Sequence, residues 1–377
     1  MLASDGKIVK NDLSTFQTDL KNLLDRWKYA SPMPAENVFP TDILNAFREI
    51  GALNALLSHE EGGLNLCRSL EGGFALLTLL RRAGYLNLSL GRCLEGHVNV
   101  VRLIELYGTS EQRHEFAQRL RSGILAGIWV TDGVPPVTIK QENRGYRLAG
   151  IKGFASGVTQ VKLALITAIT PQGHSIMVLA PTTEFGRRQS GPGKLMGMQA
   201  SGTGAYDFTD IVISSDCILG SVGDYLRQPE FSAGAWRGSA VALGGMDRLV
   251  DLLRQELLDR ERANNPHQLY RLGEALILQK TASMWVQEAV KAAYAAKMKP
   301  ADVIATVNLA RLAVERAALE LITLVQRSLG VSAFVRGRAV ELVMRDLMTY
   351  LRQPAPDEAL TEAAAWFVNH DWPKGEL

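Results

Sequence analysis

LITLVQRSLGVSAFVRGRAVELVMRDLMTYLRQPAP, residues 321–356, is the stretch from which this chain is best read. It has the pattern of a long helix ending, a glycine break, a short loop, a second helix and a proline-rich exit. Gly330 follows an apolar run of helical period, where a residue free to turn left-handed stops a helix. Arg345 and Asp346 fall late in the second helix, and an aromatic and basic run follows until Pro354 and Pro356 end it. Upstream, Val307, Ala310, Val314, Ala317, Leu321 and Leu324 recur every three or four residues, a seam of coiled-coil type.

Working outward, residues 240–258 and 268–297 carry two more long helical patterns, separated by Asn264-Asn265-Pro266. Residues 232–377 therefore read as a C-terminal four-helix bundle. Between 126 and 231 the period changes. Residues 146–148 read as a strand, 162–170 and 175–180 are short apolar runs of the kind buried strands show, and 205–213 partly alternates with Tyr206 and Phe208 on one face. This segment reads as a middle β-barrel-like domain. Residues 1–125 read as an N-terminal helical domain, with helices at 13–27, after Thr41-Asp42, at 70–82 and 87–107, and one capped by Ser110 that ends at Gly123; Pro32, Pro34 and Pro40 mark a loop. The fold class is α+β in three successive modules.

Composition narrows the functions. The chain has 377 residues, 47% hydrophobic and 21% charged, with a net charge of +2, which are globular values without the basic stripe that nucleic acid requires. Cys67, Cys93 and Cys217 are far apart and odd in number, so neither a disulfide framework nor a cysteine zinc site is expected, and a reducing, cytoplasmic location fits. His59, His114, His174, His267 and His370 have no metal-ligand spacing, so no metal is assigned. The N-terminal MLASDGKIVKNDL has no apolar core of a signal peptide. No run of about 18 uncharged apolar residues is present, so no membrane partner is expected.

Several stretches, in order, resemble the acyl-CoA dehydrogenase family. IGALNALLSHEEGGLNL (50–66), EGHVNVVRLIELYGTSEQRHEFAQRLRSGILAGIWVTD (95–132), GYRLAGIKGFASG (145–157), MGMQASGTGAYDFTDIVI (196–213) and GRAVELVMRDL (337–347) are each similar to a family segment. The resemblance implies FAD. By position Thr131 matches the threonine at the flavin ring, Ser156 the hydroxyl residue near N5, and Phe154 stands where a tryptophan stacks on the flavin. Gln326 and Gly330 match the residues that meet the adenosine of a neighbouring subunit's FAD, and Arg260 or Arg262 the arginine on its diphosphate. A homodimer or homotetramer follows, together with a small-molecule substrate such as an acyl-CoA.

The chain also departs from that pattern. Counting from Asp346, the slot of the usual catalytic glutamate falls on Pro354. The alternative slot, just before an arginine, falls on Trp236 ahead of Arg237. Neither residue can abstract a proton. Residues 132–137 replace the family's acidic, glycine- and serine-bearing loop, and the turn after Arg260 is short. Glu95 or His97 is the expected replacement acid or base; the bland alternative is a polar contact inside a helix, satisfied by backbone or by Arg92. Trp236, Tyr350 and Arg352 are expected near the substrate, although packing is the stronger reading for Trp129 and Trp236. Cys93 reads as a small buried hydrophobe and Arg345-Asp346 as an ion pair. An FAD-dependent oxidoreductase is the first functional expectation. A flavin monooxygenase of the same fold, or a non-catalytic binding or assembly protein, is the alternative.

Overall fold

Capping and period set the N-terminal helices. α1 (Leu13–Trp27) turns Phe16, Leu20 and Leu23 inward, the spacing of one helical face. α2 (Thr41–Glu49) buries Ile43, Leu44, Ala46 and Phe47. α3 (Leu70–Leu86) starts where the Ser69 side chain accepts the Gly72 N–H, and α4 (Leu88–Tyr107) where Asn87 accepts that of Leu90. α5 (Ser110–Arg121) is capped by Thr109 rather than the expected Ser110, because Thr109 and Gln112 form a reciprocal capping box. This computed structural model describes residues 12–27, 35–143, 145–191 and 195–372. The loop expected at Pro32 and Pro34, and residues 1–11 of the N-terminal segment, lie outside them.

The middle segment is a curled, predominantly antiparallel β-structure. Its strands are β1 (Leu125–Trp129), β2 (Thr138–Glu142), β3 (Gly145–Ala149), β4 (Ile151–Ala155), β5 (Val161–Ile169), β6 (Ser175–Pro181), β7 (Arg188–Gln189), β8 (Gly204–Asp207), β9 (Ile211–Ile213) and β10 (Ile218–Leu219). The larger sheet runs β10-β6-β5-β2-β3-β9, with β1 parallel to β5, and the smaller runs β4-β8-β7. The single strand expected over 205–213 is divided. Asp210 sits at φ 64°, so β8 joins the small sheet and β9 the large one. Tyr206 and Phe208 are both fully buried, their ring centroids 4.9 Å apart.

The C-terminal helices are α6 (Glu230–Ala233), α7 (Trp236–Asp259), α8 (Pro266–Ala293), α9 (Pro300–Leu329), α10 (Ala339–Tyr350) and α11 (Pro356–Val368). Asn265 caps α8 and Pro266 opens it, as their chemistry favours. The seam from Val307 to Leu324 is buried along α9, which packs against α7, α8 and α11. By length and hydropathy α9 could cross a bilayer, but here that seam is covered by its neighbour helices. α7 also lies on α3, and at this crossing the backbones touch. A Cβ on Gly84 would collide with the Val241 carbonyl, and one on Gly244 with that of Arg81. Beside the crossing, Arg81 grips Asp247 through two hydrogen bonds of 2.6 and 3.0 Å.

α10 fastens the loop at 196–201 to the bundle. Asp346 accepts the Met198 N–H at 2.6 Å, Thr349 accepts that of Gly197 at 3.0 Å, and Arg345 donates to the Met196 carbonyl at 2.7 Å. The expected Arg345–Asp346 ion pair is replaced by other partners. Arg345 pairs with Glu341, one turn earlier at 2.7 Å, and with Glu36. Asp346 instead points into the loop, and burial lifts its carboxyl to about 6 despite the Met198 N–H and the Arg345 charge.

A raised aspartate favours the folded state when protonated. Its contribution is present below the ordinary value of 3.8 and is lost as pH rises to about 6. Between those pH values wild type should therefore lose stability relative to Asp346→Asn, by on the order of 3 kcal/mol. Denaturant titration of both proteins across pH 4–7 measures the difference; parallel curves would refute the assignment.

Candidate active site

Three of the sequence-expected flavin residues meet at one edge of the β-structure. Thr131 follows β1, and its carbonyl accepts the Gly153 N–H at 2.9 Å, which sets it beside β4. Phe154 projects from β4 with φ 48° and is 48% exposed, an unusual state for a phenylalanine. The Ser156 hydroxyl accepts from Thr203 at 3.3 Å, and its carbonyl accepts the Trp129 indole N–H at 3.0 Å. Beneath them lies Lys152, a fully buried cation not singled out from the sequence. Its Nζ reaches the Val130 carbonyl at 3.1 Å, Asp132 at 2.5 Å and the Thr167 hydroxyl at 3.0 Å. Burial lowers the lysine's pKa, and Asp132 opposes that. Lys152 thus locks the segment after β1 onto β4. Its only signal in the sequence was its place in the family-like stretch 145–157.

An exposed aromatic face flanked by two hydroxyl residues suits the planar, half-apolar ring of a flavin. The adjoining loop suits a diphosphate less well. Pro135 and Pro136 have no N–H, and the Val137 N–H is already donated to Asp132 at 3.2 Å. Gln326, Gly330 and Arg260 lie at a different place, the end of α9 and the α7–α8 turn. Arg260 is engaged there by Glu256 at 2.7 Å and the Ser332 hydroxyl at 2.9 Å. Arg262 is exposed on the same turn.

A cavity of about 430 Å³ opens between α4, α7, α9 and the α10–α11 junction. Glu95 borders it. The carboxylate accepts from Arg92 and from the Tyr350 hydroxyl, both at 3.0 Å, and from Asn99 at 3.3 Å. Asn99 in turn accepts from Arg237 at 2.6 Å. The fold thus unites Glu95 with Tyr350 across the chain. Burial, reinforced by the Glu95 charge, pushes the Tyr350 phenol well above its ordinary range, so it stays a donor. Pro354 and Ala355 also line the cavity, and their carbonyls accept from Arg311 at 3.0 and 3.2 Å.

Other expected residues are placed elsewhere. His97 is fully buried on the far side of α4, with Nδ1 accepting the Ala126 N–H at 3.1 Å and Nε2 at 3.4 Å from the Leu53 carbonyl. Burial brings its pKa down to about 4. Trp236 is buried in the core, and it is its neighbour Arg237 that reaches the cavity wall. Arg352 is exposed and pairs with Glu315 at 2.7 Å. Trp129 packs at 5.8 Å from Tyr206, and Cys93 is a buried thiol whose pKa burial lifts to about 12. Asn99, Arg102 and Arg311 went unnoticed in the sequence, since polar residues on amphipathic helices look like a solvated face.

Residues 15–124 match the family described as acyl-CoA dehydrogenase, N-terminal domain. The probable acyl-CoA dehydrogenase FadE10 of Mycobacterium tuberculosis is 23% identical over 245 residues, 60% of this chain and 37% of that protein. The match thus spans little more than a third of that relative's length. Among solved structures, TdsC from Paenibacillus sp. A11-2 with FMN and indole, a dibenzothiophene monooxygenase, superposes with a TM-score of 0.81 at 20% identity, covering 97% of this chain and 98% of TdsC. Glutaryl-coenzyme A dehydrogenase with glutaryl-CoA gives 0.81 at 17% identity, covering 100% and 99%.

The Glu95–Tyr350 contact should be energetically coupled. Tyr350→Phe and Glu95→Gln, singly and together, should show a coupling of about 1–2 kcal/mol in urea denaturation, as expected for a hydrogen bond to a charged group. Strict additivity would mean that the two side chains do not depend on one another.

Proposed function

We propose that this chain, which belongs to the acyl-CoA dehydrogenase superfamily, is a flavin-dependent oxidoreductase that works without α-proton abstraction, as a monooxygenase of this fold would. One observation carries the proposal: both base positions of the family are occupied by residues that cannot take a proton, Pro354 and Trp236. Pro354 offers the cavity only a carbonyl, already bound by Arg311. Glu95 faces the cavity with three of its about four lone-pair sites already taken, both of those on Oε2 among them. The network instead makes Glu95 an organiser that holds Arg92, Asn99 and Tyr350 in place. A bound flavin supplies two-electron chemistry and, when reduced, reaction with dioxygen. Phe154 presents the apolar face for its ring, with Thr131 and Ser156 at the ring's edge and Lys152 keeping their segments in register.

Flavin mononucleotide suits the chain better than FAD, the form implied by the sequence resemblance. The proline-bearing loop offers few free donors for a second phosphate, since Pro135 and Pro136 carry no N–H and those of Gly133 and Val137 are already donated, and Arg260 is already paired. The TdsC structure of the same fold holds FMN. FAD would instead draw Arg260, Gln326 and Gly330 from a second copy. A homodimer or homotetramer is part of the proposal, supported by exposed Leu269, Leu276, Ile277 and Met284 along one side of α8. The second reading is dehydrogenation of an acyl-CoA with Glu95 as base, favoured by the position of that carboxylate on the cavity wall.

Titration of the purified protein with oxidised and reduced FMN and FAD, followed by gel filtration and visible spectra of the protein fraction, tests the proposal. Retention of FMN is expected, and Phe154→Ala should weaken it about tenfold. Retention of neither flavin in either redox state would remove the enzymatic reading and leave a binding protein. If a flavin is retained, anaerobic bleaching by an acyl-CoA that Glu95→Gln abolishes would establish the dehydrogenase reading instead.

A further inference from the structure

The cavity contains three guanidinium groups that form no ion pair among the described residues. Arg102 donates to the Cys67 carbonyl at 3.1 Å and Arg237 to Asn99 at 2.6 Å. Arg311 donates to the Pro354 and Ala355 carbonyls, and its Nε is buried without any partner. These neutral acceptors orient the three side chains without cancelling their charge. Burial disfavours the charge on Arg237, and Arg102 adds a smaller repulsion that Glu95 partly opposes. Clustered, desolvated positive charge is costly unless a ligand neutralises it. The nearby carboxylates do not serve: Glu315, which attracts Arg311, is itself paired with Arg352. Glu95 is matched by Arg92, Glu230 forms no ion pair with the three, and Glu358 and Glu362 are exposed at the mouth.

We propose that the cavity recognises its substrate through a compact oxyanion, a carboxylate or a phosphate, bound by Arg237 and Arg102 with Arg311 as a third cation. The inference rests on the reading of this cavity as the substrate site and names the substrate class. Guanidinium groups pair with such oxyanions through paired N–H donors. The exposed Glu358 and Glu362 set the opposite charge at the entrance. Repulsion at that rim grows with a ligand's charge, so the several phosphates of a coenzyme A chain are disfavoured more than a small monoanion. The lining also carries Leu103, Leu106, Ile128 and Phe231 beside the arginines, so an acid with a small apolar body fits it.

Isothermal titration of the protein with inorganic phosphate, sodium benzoate and coenzyme A tests this without any turnover. At least one of the two small anions should bind saturably and more tightly than coenzyme A. Preference between them tells phosphate from carboxylate recognition. Arg237→Gln and Arg311→Gln should each weaken binding about tenfold or more, with Arg311→Lys in between. If Arg237→Gln fails to fold, as circular dichroism would show, half-buried Arg311 carries the test. Absence of saturable binding by both small anions, binding unaffected in Arg311→Gln, or tighter binding of coenzyme A overturns the proposal. The measurement needs no flavin, so failure of the protein to bind flavin leaves its result intact.

Discussion

Where α3 crosses α7 there is no space for side chains between the two backbones, and the only residues that permit the contact are glycines. Gly84 lies against the Val241 carbonyl and Gly244 against that of Arg81. Any larger residue would push the helical N-terminal segment away from the bundle. The cavity depends on that contact. α4, which carries Glu95, Asn99 and Arg102, follows α3 after a single residue, and Arg237 stands in the first turn of α7. α10 packs on α7 and ends at Tyr350. One close approach of helices therefore sets α4 against the start of α7, two of the cavity's walls, and Arg81 and Asp247 secure it with an ion pair.

Two buried charges perform a similar positioning task elsewhere. Lys152 spends its ammonium on three oxygen atoms and so ties the segment holding Thr131 to the strand holding Phe154. Asp346 accepts one backbone N–H and fixes the loop that leads into β8. Neither has an evident role in chemistry. Lys152 sets the positions of Thr131 and Phe154, and Asp346 that of the loop at 196–201, each at the cost of desolvating a charge. The family-like stretches of the sequence around residues 152 and 346 can be understood in these terms. Their resemblance marks the joints of the scaffold as much as the reactive positions.

The strength of a local pattern governed what could be read in advance. The long helices were legible because apolar residues recur along them at helical period, as α9 shows from Val307 to Leu324. β2 was not, because only Ile139 of its five residues is buried and no alternation emerges. The division of 205–213 between two sheets was equally hidden, since it turns on the left-handed backbone of Asp210. At the site, Glu95 could be picked out as a polar residue in an apolar helix, and Tyr350 from its place in the segment where the resembling family carries its base. Arg102 and Arg311 could not, since charged side chains on amphipathic helices have the same local signature whether they face solvent or a cavity.

By itself the sequence determined the succession of helical, β and helical segments, and the absence of a carboxylate at positions 354 and 236. Those are properties of short windows, set by period, capping and residue chemistry. Only the tertiary structure decided which polar groups meet. Glu95 and Tyr350 are 255 residues apart and share a hydrogen bond, while His97, two positions from Glu95, faces the opposite way. Two residues along an α-helix turn a side chain by about 200°. Neighbours in the chain therefore part, and distant residues join, according to which face of each helix its packing partners cover.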